Sequence, residues 1–320
     1  MTQGSVHIPV LLDAVLEGLN VAAHPDGLFI DGTVGAGGHA SAILTAAPGS
    51  RLLGFDRDPR SLAIAESTLA SFGHRVTLIH ASFETMDTAA PAHGFAAVDG
   101  ILLDLGLSSM HVGEAERGFA FKQDGPLDMR FDPSSGGPTA ADLVNRLFPD
   151  ELADIIYRYG EDRDSRRIAR AIVAARPITT TRQLADVIAG AHHGPRDKIH
   201  PATRTFQALR VAVNDELGTL ERVLPRAVAL LKPGGRLAVI SFHSLEDRIV
   251  KQFFKTESTD CLCPPRQIVC TCGHVASLTP ITHKPVEADD AEIARNPRSR
   301  SAKLRIVEKR GDRADEATQT

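Results

Sequence analysis

At 320 residues, with 42% hydrophobic and 24% charged residues, the chain can bury one large core or two modest ones, which excludes collagen, coiled coil and wholesale disorder. A net charge of −4 gives no global field favouring polyanions, so any nucleic-acid affinity must come from a local patch. No apolar run approaches the length of a bilayer span, and "MTQGSVHIPVLLDAVLEGL" lacks the basic start and small-residue cleavage site of a signal peptide, so no membrane association and a cytoplasmic location are expected.

In chain order, "LFIDG" (Leu28 to Gly32), "RLLGFD" (Arg51 to Asp56), "VTLIH" (Val76 to His80), "VDGILLDL" (Val98 to Leu105) and "RLAVISF" (Arg236 to Phe242) are short apolar runs bounded by turn residues, with helical patterns between several of them. Buried parallel strands read this way. The helix after the second strand is punctuated by Asp58 as N-cap, Pro59 at the first helical position and Gly73 at the C-terminus. The alternation predicts a Rossmann-like, doubly wound α/β sheet with ligands at the carboxyl ends of its strands.

From about Ser108 to Arg204 no strand pattern is found, but helical signals recur in "TAADLVNRLF", "PDELADIIYRYG", "DSRRIARAIVAAR" and "TTRQLADVIAG", and Thr139 with Asp142 resembles a capping box. The expected organisation is a discontinuous α/β domain over 1–107 and 205–312, an inserted helical domain over 108–204 and a disordered polar tail over 313–320.

"DGTVGAGGH" (Asp31 to His39) holds four glycines between a strand and a helix, where a bare backbone and free N–H groups admit a ligand closely. Asp56, ending the second strand, is placed to accept hydrogen bonds from both ribose hydroxyls of an adenosine. The glycines at 32, 35, 37 and 38 do not form G-x-G-x-x-G, which disfavours a dinucleotide and hence a nicotinamide dehydrogenase. A loop opening on an acidic residue suits S-adenosylmethionine, with its cationic sulfonium and amino groups, and "LLKPGGRLAVISF" adds the Pro-Gly-Gly turn common before the fifth strand of methyltransferases.

These blocks, together with "FDRDP", "GILLDLGLSS", "ERGFAF", "DGPLDMR", "HPATRTFQALR", "VNDEL" and "PGGRLAVISFHSLEDRIVK", resemble the RsmH (MraW) family of bacterial small-subunit rRNA cytosine-N4 methyltransferases from His7 to about Arg305. The resemblance implies a class I S-adenosylmethionine-dependent methyltransferase domain with a helical substrate-recognition insertion. It implies methylation at N4 of a cytosine in the decoding centre (P site) of 16S rRNA, with the assembled small ribosomal subunit as the expected partner. It also implies cofactor contacts at Gly37, Gly38, His39, Asp56, Phe83, Asp104 and His111. Two positions depart from the family pattern: His111 stands where Gln is frequent, and Asp13 where Glu is common.

A cytosine amine is a poor nucleophile because its lone pair is delocalised into the ring, so catalysis consists of aligning N4, methyl and sulfur and supporting the charge that develops on nitrogen. Asp104, ending the fourth strand, either accepts a hydrogen bond from the amine and takes its proton or only holds the cofactor. The chain has "DLGLSS" where amino methyltransferases commonly carry an Asp/Asn-Pro-Pro-aromatic motif. Between Arg158 and Arg210, eleven basic residues face five acidic ones, with Arg163, Arg166, Arg167 and Arg170 on or beside one predicted helix, making the insertion the RNA-facing element. The other reading of this surplus is solvated helix faces with internal ion pairs. A non-catalytic RNA-binding or assembly protein would keep these arginines without needing Asp104 and an intact cofactor loop together; a methyltransferase of another substrate is the remaining alternative. Asp124, Asp128, Arg130 and His243 lie in conspicuous motifs, but spacing assigns them no role.

All four cysteines fall in "CLCPPRQIVCTC", as two C-x-C pairs. Cys261, Cys263, Cys270 and Cys272 can surround a structural zinc ion, with His274 able to replace one thiolate. The alternatives are free reduced thiols or a redox-sensitive pair.

Overall fold

The computed structural model describes residues 8–108, 113–192, 200–267 and 269–311. The contacts divide the chain into two units, one made of Met1–Gly106 with Thr219–Thr320, the other of Leu107–Gly218.

The first unit is built on a seven-stranded sheet: β1 (Leu28–Asp31), β2 (Arg51–Asp56), β3 (Val76–His80), β4 (Val98–Asp104), β5 (Leu231–Ser241), β6 (Leu278–Pro280) and β7 (Lys303–Lys309). Its order is β3-β2-β1-β4-β5-β7-β6. The first five strands pair in parallel, and β7 runs antiparallel to both β5 and β6. Neighbouring residues of the central strands feed opposite faces, as a pleated strand requires. Ile30, Leu53, Ile101 and Leu103 pack with Val223 and Leu224 of helix Glu216–Leu230 and Phe254 of helix Ser244–Glu257. Phe29, Leu52 and Leu102 pack on the other side with Val15, Ile43, Leu44 and Leu62 from helices Leu12–Gly18, Gly38–Ala46 and Pro59–Leu69. Covered on both faces, these strands are continuously apolar, which is why their sequences read so clearly.

The local chemistry behaves as its residue types dictate. Asp58 Oδ1 accepts from Arg60 N at 2.9 Å to cap helix Pro59–Leu69, and Gly73 sits at φ +55 in the turn beyond it. In β5 the pairing jumps from Val98–Leu231 to Gly100–Arg236, so the Pro-Gly-Gly turn is looped out between two paired stretches of one strand. Strands β6 and β7 carry no counterpart in the sequence reading. Strand β6 lies beyond a long irregular stretch, whereas β7 follows the short helix Asp290–Arg295 and the turn Pro297–Ser301 and is recognised as a strand only once β5 is there to pair with it.

The second unit is helical. Helices Ala140–Arg146, Pro149–Gly160, Ser165–Ala174, Thr181–Ala191 and Ala202–Asn214 enclose a core containing Val144, Ile156, Ile168, Ile172, Leu184, Ile188, Phe206 and Leu209. The Thr139 capping box forms as expected, with Asp142 N donating to Thr139 Oγ1 at 3.1 Å and Thr139 N donating to Asp142 Oδ2 at 2.9 Å. The unit runs past Arg204, its expected end, to Gly218. The reason is that Ala202–Asn214 buries Phe206 and Leu209 among the other helices, and Asn214 Nδ2 donates to Met129 O at 2.7 Å. The polar tail 313–320 lies outside the described residues.

Candidate functional site

Three adjacent strands of the sheet, β2, β1 and β4, end in aspartates: Asp56, Asp31 and Asp104. Chain direction across the sheet reverses between β1 and β4, and ligand crevices of open α/β sheets form at such a reversal. The glycine loop leaves the sheet at this point. Gly35 at φ +53 and Gly37 at φ +86 take left-handed backbone that a side chain would strain. At Gly38 the constraint is space, because an added Cβ would lie 2.7 Å from Pro9 Cγ. Gly37 caps helix Gly38–Ala46, so the first N–H groups of that helix emerge at a turn kept free of side chains.

Hydrogen bonds tie the three aspartates to the loop. Asp56 Oδ2 accepts from Gly35 N at 2.9 Å and Asp56 Oδ1 from Asp58 N at 2.8 Å, which orients the carboxylate. Asp31 Oδ1 accepts from Thr33 N at 3.0 Å, and Thr33 Oγ1 in turn accepts from Asp104 N at 2.6 Å. Thr33 therefore couples the ends of β1 and β4. The sequence motif contained it, but only the pairing of these strands shows what its hydroxyl does. His39 is buried, and its Nε2 donates to Val10 O at 2.9 Å. That bond places the proton of the neutral ring on Nε2 and leaves Nδ1 facing Asp104 Oδ2 at 3.7 Å.

Asp104 is electrostatically the least settled group of the site. Its Oδ1 is shielded from solvent and has no hydrogen-bond partner among the described residues. Burial, followed by the negative charges of Asp31 and Glu246, raises its pKa to about 8. Asp31 is raised to about 7 by burial, opposed by its Thr33 hydrogen bonds. The folded chain thus keeps protons that the unfolded chain has already lost, so both groups destabilise it as pH rises from the ordinary carboxylate range through about 8. The ligand-free Asp104→Asn variant should therefore gain on wild type across this interval. Because the side chain is 21% exposed, the gain is set well below the full shift, at roughly 1–3 kcal/mol by denaturant unfolding at pH 5 and pH 9. Equal stabilities at both values would contradict this.

Of the residues expected to hold a cofactor, Gly37, Gly38, His39, Asp56 and Asp104 meet at this edge. Phe83 begins the turn after β3, and its Cβ would lie 3.1 Å from a Cβ built on Gly32, so it too borders the loop. His111 lies outside the described residues. His243 is a helix cap: Glu246 N donates to His243 Nδ1 at 3.4 Å, and Glu246 Oε2 accepts from His243 N at 3.2 Å.

The four cysteines also converge, their Sγ atoms all lying within 4.8 Å of one another. His274 is not part of this converging set; its Nε2 donates to Thr256 O at 3.0 Å.

In the helical unit, the charged residues of "DGPLDMR" find partners within the motif and on the neighbouring helix. Arg130 Nε and Nη2 form a bidentate pair with Asp128 at 2.8 and 2.6 Å, and Asp124 Oδ1 accepts from Arg182 N at 3.0 Å at the start of helix Thr181–Ala191. The basic surplus divides in the same way. Arg176 donates to Val144 O and Leu147 O, both at 2.6 Å, and Arg210 pairs with Glu216 at 2.8 Å. Arg158, Arg163, Arg166, Arg170, Arg182 and Arg204 are exposed. Arg167 pairs with Asp164 at 3.3 Å, while Arg196 and Lys198 lie outside the described residues.

The model of the MraW methylase family matches residues 4–310. A protein named "Ribosomal RNA small subunit methyltransferase H" from Geobacter sp. (strain M21) is 52% identical over 309 residues, covering 95% of this chain and 98% of that protein. A protein of the same name from Nitratidesulfovibrio vulgaris is 52% identical over 312 residues, covering 95% of this chain and 86% of that one. A third, from Heliobacterium mobile, is 50% identical over 310 residues, covering 95% and 98%. The seven-stranded sheet with its antiparallel β7 is accordingly a class I methyltransferase fold. Matched by the family model over almost its full length, and by whole relatives at half of its positions, this chain belongs to the MraW methylase family.

Proposed function

We propose that this protein is a cytoplasmic rRNA methyltransferase that transfers the methyl group of S-adenosylmethionine to the exocyclic N4 amine of a cytosine in the decoding centre of 16S rRNA, within the small ribosomal subunit. The observation that carries the reading is Asp104, a carboxylate at the end of β4 with a buried oxygen that has no partner among the described residues, beside a glycine turn that a side chain would obstruct. The relatives' shared name supports the substrate class, and the exposed arginines of the helical unit supply a positive surface for it.

The site fits the cofactor on its own chemistry. The oriented Asp56 carboxylate suits a ribose diol, the helix N-terminus and glycine N–H groups suit a carboxylate, and the acidic edge suits cationic groups. S-adenosylmethionine supplies, when bound, an electrophilic methyl group on a positively charged sulfur. With the cofactor held by Asp56 and the glycine turn, the N4 lone pair would take up this methyl group and the carbon–sulfur electron pair would remain on sulfur. Asp104, once ionised, would accept a hydrogen bond from the amine and take the proton that N4 loses. The Thr33 hydroxyl fixes the backbone of Asp104, and His39 packs at its other oxygen, so both act as positioning residues. The target base must be unpaired or flipped to reach this edge. With no tryptophan and two tyrosines in the chain, backbone and shape contacts dominate its recognition.

The decisive experiment is transfer from labelled S-adenosylmethionine to small subunits and to free 16S rRNA lacking the modification, with the product nucleoside identified by mass spectrometry. N4-methylcytidine formed on the subunit is the expected result. Cofactor binding without product on either RNA would refute the substrate assignment. In the same assay Arg166→Glu with Arg170→Glu, both exposed on helix Ser165–Ala174, should weaken RNA binding about 10- to 100-fold and flatten its salt dependence. Stability should change by only about 0.5 kcal/mol, because neither side chain packs in the core.

A further inference from the structure

The chain between helix Ser244–Glu257 and β6 leaves the α/β core as an excursion in which the described residues from Asp260 to Ser277 form no helix or strand. Its base is well tied: Ser277 N donates to Glu257 O at 2.8 Å, Ala276 N donates to Asp260 Oδ1 at 3.3 Å, and His274 holds Thr256 O. Its tip is held more sparsely: apart from contacts to sulfur, Gln267 N donates to Pro264 O at 2.9 Å and Gln267 Nε2 to Val269 O at 2.9 Å and Thr271 Oγ1 at 2.7 Å. Among the described residues from Cys261 to Cys272 none is buried, and Leu262 and Val269 are 48% and 70% exposed. Described residues this exposed bury too little apolar surface to offset the conformational entropy lost in adopting one shape.

What joins the two arms of this tip is sulfur. Cys270 Sγ lies 3.5 Å from both Cys261 Sγ and Cys272 Sγ and 4.0 Å from Cys263 Sγ, and Cys272 Sγ lies 3.9 Å from Cys261 Sγ. Four thiolates about 2.3 Å from a central ion at tetrahedral angles stand about 3.8 Å apart, so the observed separations are the edges of a tetrathiolate site. The backbone has the matching polarity: Leu262 N donates to Cys272 Sγ and Thr271 N to Cys263 Sγ, each at 3.4 Å. N–H groups aimed at sulfur stabilise thiolates, yet four thiolates this close repel one another unless a cation lies among them. A single centre fits the spacing, whereas an iron–sulfur cluster holds its cysteine sulfurs farther apart. A soft, closed, four-sulfur set with no open position selects zinc in a structural role.

We propose that Cys261, Cys263, Cys270 and Cys272 together bind one zinc ion, without His274, and that the ion is the core of the excursion preceding β6. Zinc takes no part in methyl transfer; it ties the Cys261–Cys263 arm to the Cys270–Cys272 arm and holds Leu262 and Val269 outward.

The test uses the full chain, purified without a metal-affinity tag and dialysed against metal-free buffer. Elemental analysis should find one zinc per chain, retained in His274→Ala and lost in Cys261→Ser with Cys272→Ser. Cobalt substitution of the wild-type chain should give intense visible ligand-field bands with thiolate-to-metal charge transfer, the signature of a tetrahedral tetrathiolate. This spectrum keeps the proposal testable even if the double variant fails to fold. Arg266 lies between the two arms, and removing the metal with a chelator should speed tryptic cleavage there about tenfold or more. Metal-free protein with four reactive thiols, a disulfide among the four cysteines, or iron with acid-labile sulfide would each overturn the proposal, as would loss of zinc in His274→Ala.

Discussion

Asp104→Asn should lower the rate of methyl transfer at saturating cofactor and RNA by about 10²- to 10⁴-fold, the range for removing a general base. The substitution keeps the shape of the side chain and its backbone bond to Thr33 Oγ1, so the fold and the glycine loop should survive. What disappears is the acceptor for the amine proton. The wild-type rate should rise with pH toward about 8, the pKa to which burial and neighbouring carboxylates bring Asp104, while the residual rate of the variant should lose this dependence. A cofactor bound as a cation draws the carboxylate toward its ionised form, so the midpoint in the ternary complex should lie below that of the free enzyme. Calorimetry separates the two roles open to Asp104. Retained cofactor affinity with lost turnover assigns it to the amine; affinity lost in proportion to turnover makes it a cofactor ligand only and removes the proposed proton transfer.

For Asp56→Ala the expected result is the reverse split: cofactor affinity about 10²- to 10⁴-fold weaker, with turnover at saturation changed by only a few-fold. Two hydrogen bonds from ribose hydroxyls to an ionised acceptor contribute about 1.5–3 kcal/mol each, and affinity rather than chemistry bears their loss. Because Asp56 also accepts from Gly35 N and Asp58 N, part of the effect comes from the loop it holds. Asp56→Asn, which keeps an oxygen acceptor for one of these, should recover about a tenth or more of the lost affinity. Isothermal titration with S-adenosylmethionine, alongside KM and kcat for transfer, decides the matter. A turnover defect larger than the binding defect would mean that Asp56 does more than hold the nucleoside.

The elements read most faithfully from the sequence are those whose information is local. The first four strands fall within a residue of their expected ends because buried parallel strands are uniformly apolar and stop at turn residues. The helices of Leu107–Gly218 announce themselves through apolar periodicity and the Thr139 cap. The family pattern identifies the edge of the sheet on which Gly37, Gly38, His39, Asp56, Phe83 and Asp104 now border one loop. Strands β6 and β7 escaped because three or seven residues with little patterning become strands only when a neighbour offers its backbone.

Charge was legible only as a total. Eleven basic residues in one segment look alike on paper, but Arg176 ends on helix carbonyls and Arg210 on Glu216, while Arg166 and Arg170 face water. Asp128 and Arg130, conspicuous in a motif, are each other's partners. Two C-x-C pairs raised the possibility of a metal by spacing, but only the structure shows that the four sulfurs converge while His274 stands outside that group.

By itself, then, the sequence determined the strand and helix inventory of the nucleotide-type half, the bare turn after β1 and the residue types of the site, since all of these follow from side-chain volume, polarity and backbone freedom within a few residues. Only the tertiary structure decided that Thr33 bridges Asp31 to Asp104 and that one Asp104 oxygen has no partner among the described residues. Such facts depend on which strands lie side by side, and the burial that follows from this pairing sets the charge of a carboxylate more strongly than any neighbour in the chain.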